Sequence, residues 1–245
     1  MLRAQNAPAF RVKSHSFSRS SGPRSRAKPD RRIRARIGSR ERLLQERLVT
    51  VTIGCRRSRK GPMHSSERLD PTDRPALQPA PLIKALAKFK VRWVLCGSQV
   101  LALHGAGIVA NDLDVVPHLE SENLRRVAAC LEYLRAVAAY LDGWGGERGT
   151  LEACRAWRPV PPTSENLDWL FVTHLGMLDI VIEKADPYES LMDHAEVRSA
   201  GGTPYWLCDP RRVLKALEGR ARKKDRERDA IYRLMRRRLG MPELP

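Results

Sequence analysis

Apolar residues alternate with polar ones in some stretches of the chain and recur at helical spacing in others, and the elements follow from that pattern. Leu82, Ala85, Leu86 and Phe89 share one stripe of a helix predicted over 81–90, with Pro81 at or near its first position. The apolar run VRWVLC (91–96) predicts a strand, and GSQVLALHG (97–105) a helix leaving directly from the glycine. In DLDVVP (112–117) acids alternate with apolar residues, which predicts a strand with carboxylates on one face. Ser121 is placed to cap a long helix over 122–141, where Leu124, Val127, Ala128, Leu131, Leu134, Val137 and Ala138 recur at helical period. LDWLFVTH (167–174) and MLDIVIE (177–183) predict a hairpin about a Gly-containing turn. A helix over 186–196 started by Pro187, a short strand over 203–209, and helices over 210–220 and 224–240 closed by Gly240 and Pro242 complete the set. Between them, 71–81 reads as a Pro-rich linker, and the Gly/Pro-rich stretch 142–166 as a long loop with one short element. No internal repeat is visible. The order predicts an α/β (α+β) fold: a small mixed sheet with flanking helices and a C-terminal helical pair.

Charge divides the chain. Its 245 residues carry a formal net charge of +17, but residues 1–62 hold 18 Lys and Arg against three acids, Asp30, Glu41 and Glu46. The remaining residues hold 27 bases and 25 acids, so the part that can build a core is nearly neutral. The basic segment is rich in Arg, Ser, Pro and Gly and poor in aromatics, too little apolar surface to offset its ordering entropy. Residues 1–75 are therefore expected to be a disordered basic tail and linker, with a short helix at RERLLQERL (40–48), and 76–245 the folded domain. Three readings of the tail stay open: sequence upstream of a true start at Met63, a solvated arm that binds nucleic acid weakly, or a targeting segment, since its first 29 residues are Arg/Ser-rich and acid-poor. It has no apolar core of a secretory signal. The near-neutral remainder argues against a general nucleic-acid-binding protein, apart from the basic helices over 210–238. No run reaches the roughly 18 apolar residues of a membrane span. The five cysteines, at 55, 96, 130, 154 and 208, are odd in number and never at C-x-x-C spacing, so neither zinc nor a disulfide framework is indicated. Cys96 and Cys130 are expected to be reduced core residues, and a cytoplasmic location is expected.

Candidate chemistry concentrates in 91–117. Gly97 and Ser98 sit between an apolar strand and a helix start, where free N–H groups and a hydroxyl can meet phosphate; a plain tight turn with a capping serine is the bland alternative. Asp112 and Asp114 lie two apart on one strand face. Acids are depleted in strands, and two on one face repel unless a cation neutralises them, although a solvated face would also accommodate them. Asp179 lies in the apolar strand MLDIVIE, where a lone carboxylate is costly unless paired or metal-bound; Asp168 competes for the same role from a strand start, where it could simply cap. His104 and His174 lie near these motifs and read as structural.

Gly97-Ser98 followed after 13 residues by Asp112-Leu113-Asp114 resembles the signature of the nucleotidyltransferase superfamily that includes polymerase β. The Gly176–Asp179 strand, the Tyr188–Leu191 helix, Lys215 and Arg222–Asp225 extend the resemblance over about 82–240 to small bacterial nucleotidyltransferases of the toxin-like or abortive-infection type. That resemblance implies a transferase that binds two Mg²⁺ on Asp112, Asp114 and Asp179. It implies an NTP such as ATP held by Gly97, Ser98, Lys215 and Lys224, and a cognate antitoxin-like partner. It also implies transfer of a nucleoside monophosphate to a hydroxyl of an RNA end, a protein or a small molecule. The family's Arg-x-Thr ahead of the acids is replaced here by Ile108 and Ala110, which leaves open a degenerate fold that only binds NTP or a partner. The net excess of bases over 210–245, 13 against five acids, favours an RNA 3′ end as acceptor.

Overall fold

The computed structural model describes residues 69–144, 148–183, 185–220 and 222–242. The predicted helix at 40–48 and the tail over 1–68 lie outside the described residues. Among the described residues the first element is α1 (Pro79–Lys88), whose first turn holds prolines and whose inner stripe buries Leu82, Ile83, Ala85 and Leu86. Burial of the two leucines and the isoleucine contributes roughly 1.5–3 kcal/mol each. Then come β1 (Trp93–Leu95), α2 (Gly97–Leu103), β2 (Asp112–Pro117) and α3 (Ser121–Tyr133). After them run β3 (Val137–Ala138), α4 (Leu151–Ala156), α5 (Ser164–Leu167), β4 (Leu170–Thr173), β5 (Gly176–Ile180), α6 (Tyr188–Met192), β6 (Glu196–Ala200) and β7 (Thr203–Leu207). The described chain closes with α7 (Pro210–Ala216), α8 (Lys223–Glu227) and α9 (Asp229–Arg238).

The strands form one mixed seven-stranded sheet in the order β3-β4-β5-β2-β1-β7-β6. β2 pairs parallel with β5 and antiparallel with β1, and β1 pairs parallel with β7. In β2 the apolar alternates Leu113 and Val115 enter the main core with α1 and α3, and the acids take the other face. A smaller cluster of Val172, Met177 and Ala139 packs with Leu69, Val137 and Leu170. Buried Asn123 joins strands to helix: its amide donates to the carbonyls of Arg92 (2.9 Å) and His118 (2.8 Å) and accepts from Arg92 N–H (2.7 Å).

Several predicted elements differ. The helix expected over 122–141 ends at Tyr133, and Val137 and Ala138 become β3. Arg135 adopts a left-handed φ of 50°, Arg135 N–H returns to Glu132 O (2.9 Å) and Ala136 N–H to Leu131 O (2.9 Å). This is a Schellman termination without its usual glycine, so no sequence signal marks it. Ser121 is the helix's first residue rather than its cap; Glu120 holds the cap position and makes no side-chain capping bond. The 142–166 stretch holds two short helices, capped by Thr150 and Thr163. The helix expected over 186–196 stops at Met192, and β6, not predicted, follows. The C-terminal pair is three helices, with a bend at Arg228 between α8 and α9. Residues of the Pro-rich stretch pack on the domain: Arg74 donates to Tyr140 O (2.6 Å), Gln78 N–H to Leu175 O (2.8 Å), and Arg155 pairs with Asp70 (2.7 Å). The four described cysteines are free. Among the described residues no helix is long and apolar enough to cross a membrane.

Candidate active site

The β2–β5 pairing assembles the acids. Asp114 stands directly opposite Asp179, and Asp112 opposite Met177. Side chains opposite each other in register share a face, and period 2 puts Asp112 on that face too. The carboxylates of Asp112, Asp114 and Asp179 offer oxygens all within 4.8 Å of one another. At that spacing two ionised carboxylates repel by about 3–4 kcal/mol at an effective dielectric near 20.

Asp114 sits on β2, flanked in the sheet by β5 and β1. Burial, then the charges of Asp112 and Asp179, push its carboxyl well above the ordinary carboxylate range; Lys224 and the Ser98 backbone N–H oppose the shift. Its backbone carbonyl accepts from Cys96 N–H at 2.9 Å, which ties β1 to β2 beside the acid. Burial and then the Asp114 charge push the Cys96 thiol far up, so that sulfur stays protonated. Gly97 has φ +68°, and a Cβ built there would collide with the Asp114 carboxylate. The glycine is needed both for its left-handed conformation and for that close approach.

The acids lie on one wall of a cavity of about 730 Å³. Gly97 and Ser98 border them. Val213, Ala216, Leu217 and Tyr232 form an apolar wall, and Arg212, Arg220, Arg222, Lys224 and Arg228 supply positive charge. Arg222 grips the buried Asp225 through two bonds, Nε–Oδ2 at 2.6 Å and Nη2–Oδ1 at 3.1 Å. Arg212 pairs with Asp186 at 2.9 Å, and Arg228 donates to Val109 O at 3.1 Å. Three clustered carboxylate oxygens are hard donors of the kind Mg²⁺ or Mn²⁺ takes, and the mutual repulsion of the group is what a divalent cation relieves. The residues present therefore fit a divalent cation.

The structure brings Gly97, Ser98, Asp112, Asp114, Asp179 and Lys224 to this cavity. It does not bring Lys215, which lines a separate cavity of about 690 Å³ with His194, Glu218 and Arg236. Helical geometry is the reason: at 100° per residue, Arg212, Val213, Ala216 and Leu217 span one face of α7, and Lys215 falls outside it. Asp168 caps the chain leaving β5, accepting from the backbone N–H groups of Ile182 (3.0 Å) and Glu183 (3.2 Å). His104 Nε2 stands 3.4 Å from Glu196, and His174 Nδ1 3.3 Å from Leu134 O. Neither histidine lines the acid cavity. Ile108 and Ala110 pack inward as apolar residues. The sequence reading missed Arg212, Arg228 and Trp144 as cavity residues. Only an assignment of the inward face of α7 would have found Arg212, and nothing in the local sequence marks the other two.

No family model and no curated protein matches the chain. Among solved structures, the chain is similar to the crystal structure of ANT(2″)-Ia in complex with adenylyl-2″-tobramycin. The identity is 14%, over 65% of this chain and 86% of that one, with a TM-score of 0.39. It is also similar to the solution structure of the antibiotic-resistance factor ANT(2″)-Ia, at 12% identity over 64% and 83% of the two chains and a TM-score of 0.36.

Proposed function

We propose that this protein is a divalent-metal-dependent nucleotidyltransferase that moves a nucleoside monophosphate from an NTP to a hydroxyl. One observation carries the reading: Asp112, Asp114 and Asp179 gather within 4.8 Å in a cavity that also holds Arg212, Arg220, Arg222, Lys224 and Arg228. A carboxylate cluster facing a basic wall has a use for a ligand that is itself a polyanion bound with cations. Bound Mg²⁺, two ions in this reading, would neutralise the triphosphate and lower the pKa of the attacking hydroxyl.

The chain's own residues do the positioning. Lys224 and Arg222 line the cavity and would meet the triphosphate charge, and the Gly97-Ser98 turn would offer it a hydroxyl. Val213, Leu217 and Tyr232 give an apolar surface for the nucleoside. The acceptor oxygen attacks the α-phosphorus and forms a P–O bond. The bond from that phosphorus to the bridging oxygen breaks, and pyrophosphate leaves with the electron pair. The hydroxyl proton passes to a carboxylate of the cluster, and Asp179, the acid on β5, takes that role. We take an RNA 3′ end as the acceptor, because the excess of bases over 210–245 suits a phosphodiester backbone better than a cationic sugar.

The test is incubation of the full chain with each α-labelled NTP, Mg²⁺ or Mn²⁺, and total RNA or protein. RNA should become labelled, with affinity falling steeply as salt rises, and Asp112→Ala, Asp114→Ala and Asp179→Asn should each abolish the label. A label that survives in all three variants overturns the assignment. A second reading, an NTP-binding module without turnover, is favoured by apolar Ile108 and Ala110. It predicts metal-dependent NTP binding by calorimetry with no labelled product.

A further inference from the structure

The cavity lining includes one tryptophan that the reading above leaves unused. Past β3 the chain runs on to Trp144, which lines the cavity and is 50% exposed. Trp169, one residue before β4, meets it edge-on, with ring centroids 5.9 Å apart and planes at 85°. Trp169 is itself fixed: its indole N–H donates to Ala139 O (2.9 Å), and its carbonyl accepts from Ile180 N–H (3.1 Å). The guanidinium of buried Arg148 lies 4.7 Å over the Trp169 ring and donates to Asn166 O at 2.7 Å. Trp144 thus rests on a rigid aromatic and cationic backing, and half of its large apolar surface is left facing solvent.

Sheet order fixes which substrate that surface meets. The acids stand on β2 and β5. Gly97-Ser98 follows β1, and α7 follows β7, both on one side of β2; Trp169 precedes β4, on the far side of β5. Along the sheet the carboxylates therefore lie between the Gly97-Ser98 turn and α7 on one side and the Trp169–Trp144 pair on the other, with Arg212 of α7 reaching Asp186 beyond β5. If the triphosphate takes the side of the turn and α7, the in-line nucleophile approaches from the side of the tryptophans.

We propose that Trp144, backed by Trp169 and Arg148, is the acceptor platform of this cavity, and that it stacks the terminal base of a single-stranded polynucleotide whose 3′-hydroxyl reacts. The inference rests on the nucleotidyl-transfer reading and names the acceptor's place in the same site. Stacking on an exposed indole is tolerant of sequence, because every base offers a π-face. A cationic acceptor is disfavoured on this flank. Arg148 stands behind the platform, and Asp186, an acid of the cavity lining, is already paired with Arg212.

The test compares wild type with Trp144→Ala and Trp144→Phe, using a 5′-fluorescein ten-nucleotide oligoadenylate, ATP with Mn²⁺, and tobramycin as three separate probes. Loss of one stacking contact should weaken oligonucleotide binding in Trp144→Ala by about 5- to 100-fold. Trp144→Phe should recover much of that loss. Affinity for ATP with Mn²⁺ should stay within about twofold in both variants, and circular dichroism should be unchanged. Equal losses for ATP and oligonucleotide would place Trp144 on the donor side and overturn the proposal, as would unaltered oligonucleotide binding. Tobramycin binding that depends on Trp144, without oligonucleotide binding, would replace the polynucleotide with a small sugar acceptor and also overturn it. Failure of wild type to bind ATP with Mn²⁺ would instead remove the transferase reading itself, so the two failures are distinct.

Discussion

Gly97 allows the support of the acid cluster to be tested without removing a carboxylate. Gly97 and Gly105 bracket the same short helix, α2, and both have left-handed φ, +68° and +80°. They differ in surroundings: a Cβ at Gly97 would collide with Asp114, whereas a Cβ at Gly105 meets nothing within 4 Å. Alanine at either position carries the left-handed penalty of about 1–2 kcal/mol. At about 2–4 °C per kcal/mol for a domain of this size, Gly105→Ala should lower Tm by roughly 2–8 °C. It should leave Mn²⁺-dependent ATP binding intact. Gly97→Ala should destabilise further, because its Cβ would also lie 2.7 Å from the Asp114 Cβ, which side-chain rotation does not move, so backbone must shift and Asp114 is displaced from the cluster. Disturbing the support of a metal ligand typically weakens metal affinity by about 10- to 100-fold, and that is the loss expected here. Calorimetric titration of Mn²⁺ with ATP into both variants, alongside thermal melts, separates backbone strain from displacement of the acid. Equal metal affinity in the two variants would refute the close approach of Gly97 to a functional Asp114.

Further outcomes follow from the same geometry. Because Asp114 is raised by burial and by its acidic neighbours, the native protein holds that proton to higher pH than the unfolded chain does. As pH rises from about 4 through the raised value, the metal-free protein should lose stability by up to about 1.4 kcal/mol per pH unit. Asp114→Asn should flatten that slope in melts recorded across pH, and an unchanged slope would count against the assignment. Asp225→Ala, which strips Arg222 of its bidentate partner, should destabilise by about 1–2 kcal/mol, the low end for a buried pair because Arg222 is half exposed, and should weaken ATP binding. Removal of residues 1–62 should leave Tm and ATP binding unchanged, since that stretch has no core-forming pattern; a protein starting at Met63 that fails to fold would refute this.

How far the sequence could be read depends on whether pairing and chirality leave a local mark. β2 was predicted with both its ends correct, because alternation of Asp with Leu and Val is a period-2 signal that also states which face is polar. The β4–β5 hairpin was legible from two apolar runs about a glycine turn. β6 was missed although Gly201-Gly202, between it and β7, is a two-residue hairpin signal. Its Glu196 and Arg198 gave it the polar look of a solvated stretch, as is usual for a strand at a sheet edge. The end of α3 could not be read, since Arg135 takes the left-handed position that glycine normally announces. The acids were found individually, but their convergence is a property of register. Only the parallel pairing of β2 with β5 sets Asp114 opposite Asp179, and no spacing along the chain encodes that. Lys215 and Lys224 were both site candidates by resemblance, but they stand on different helices: α8 brings Lys224 to the acid cavity, while Lys215 lies off the cavity-lining face of α7.

The electrostatics of the cluster explain why these particular neighbours surround it. Three carboxylates within 4.8 Å repel by a few kcal/mol per pair, a large fraction of the 5–15 kcal/mol that holds a typical domain together. A fold without use for the cluster would gain by losing any one of the acids. Here Lys224 and the Ser98 backbone N–H act against the repulsion at Asp114, and both belong to the cavity. The offset is partial, since the Asp114 carboxyl still lies well above its ordinary range. Full relief needs charge from outside the chain, which a divalent cation supplies. The ligand the cation would accompany must in turn be anionic enough to face Arg220, Arg222 and Arg228, which line the same cavity. Acid cluster and basic wall each make the other intelligible, and an NTP carried with its metal satisfies both.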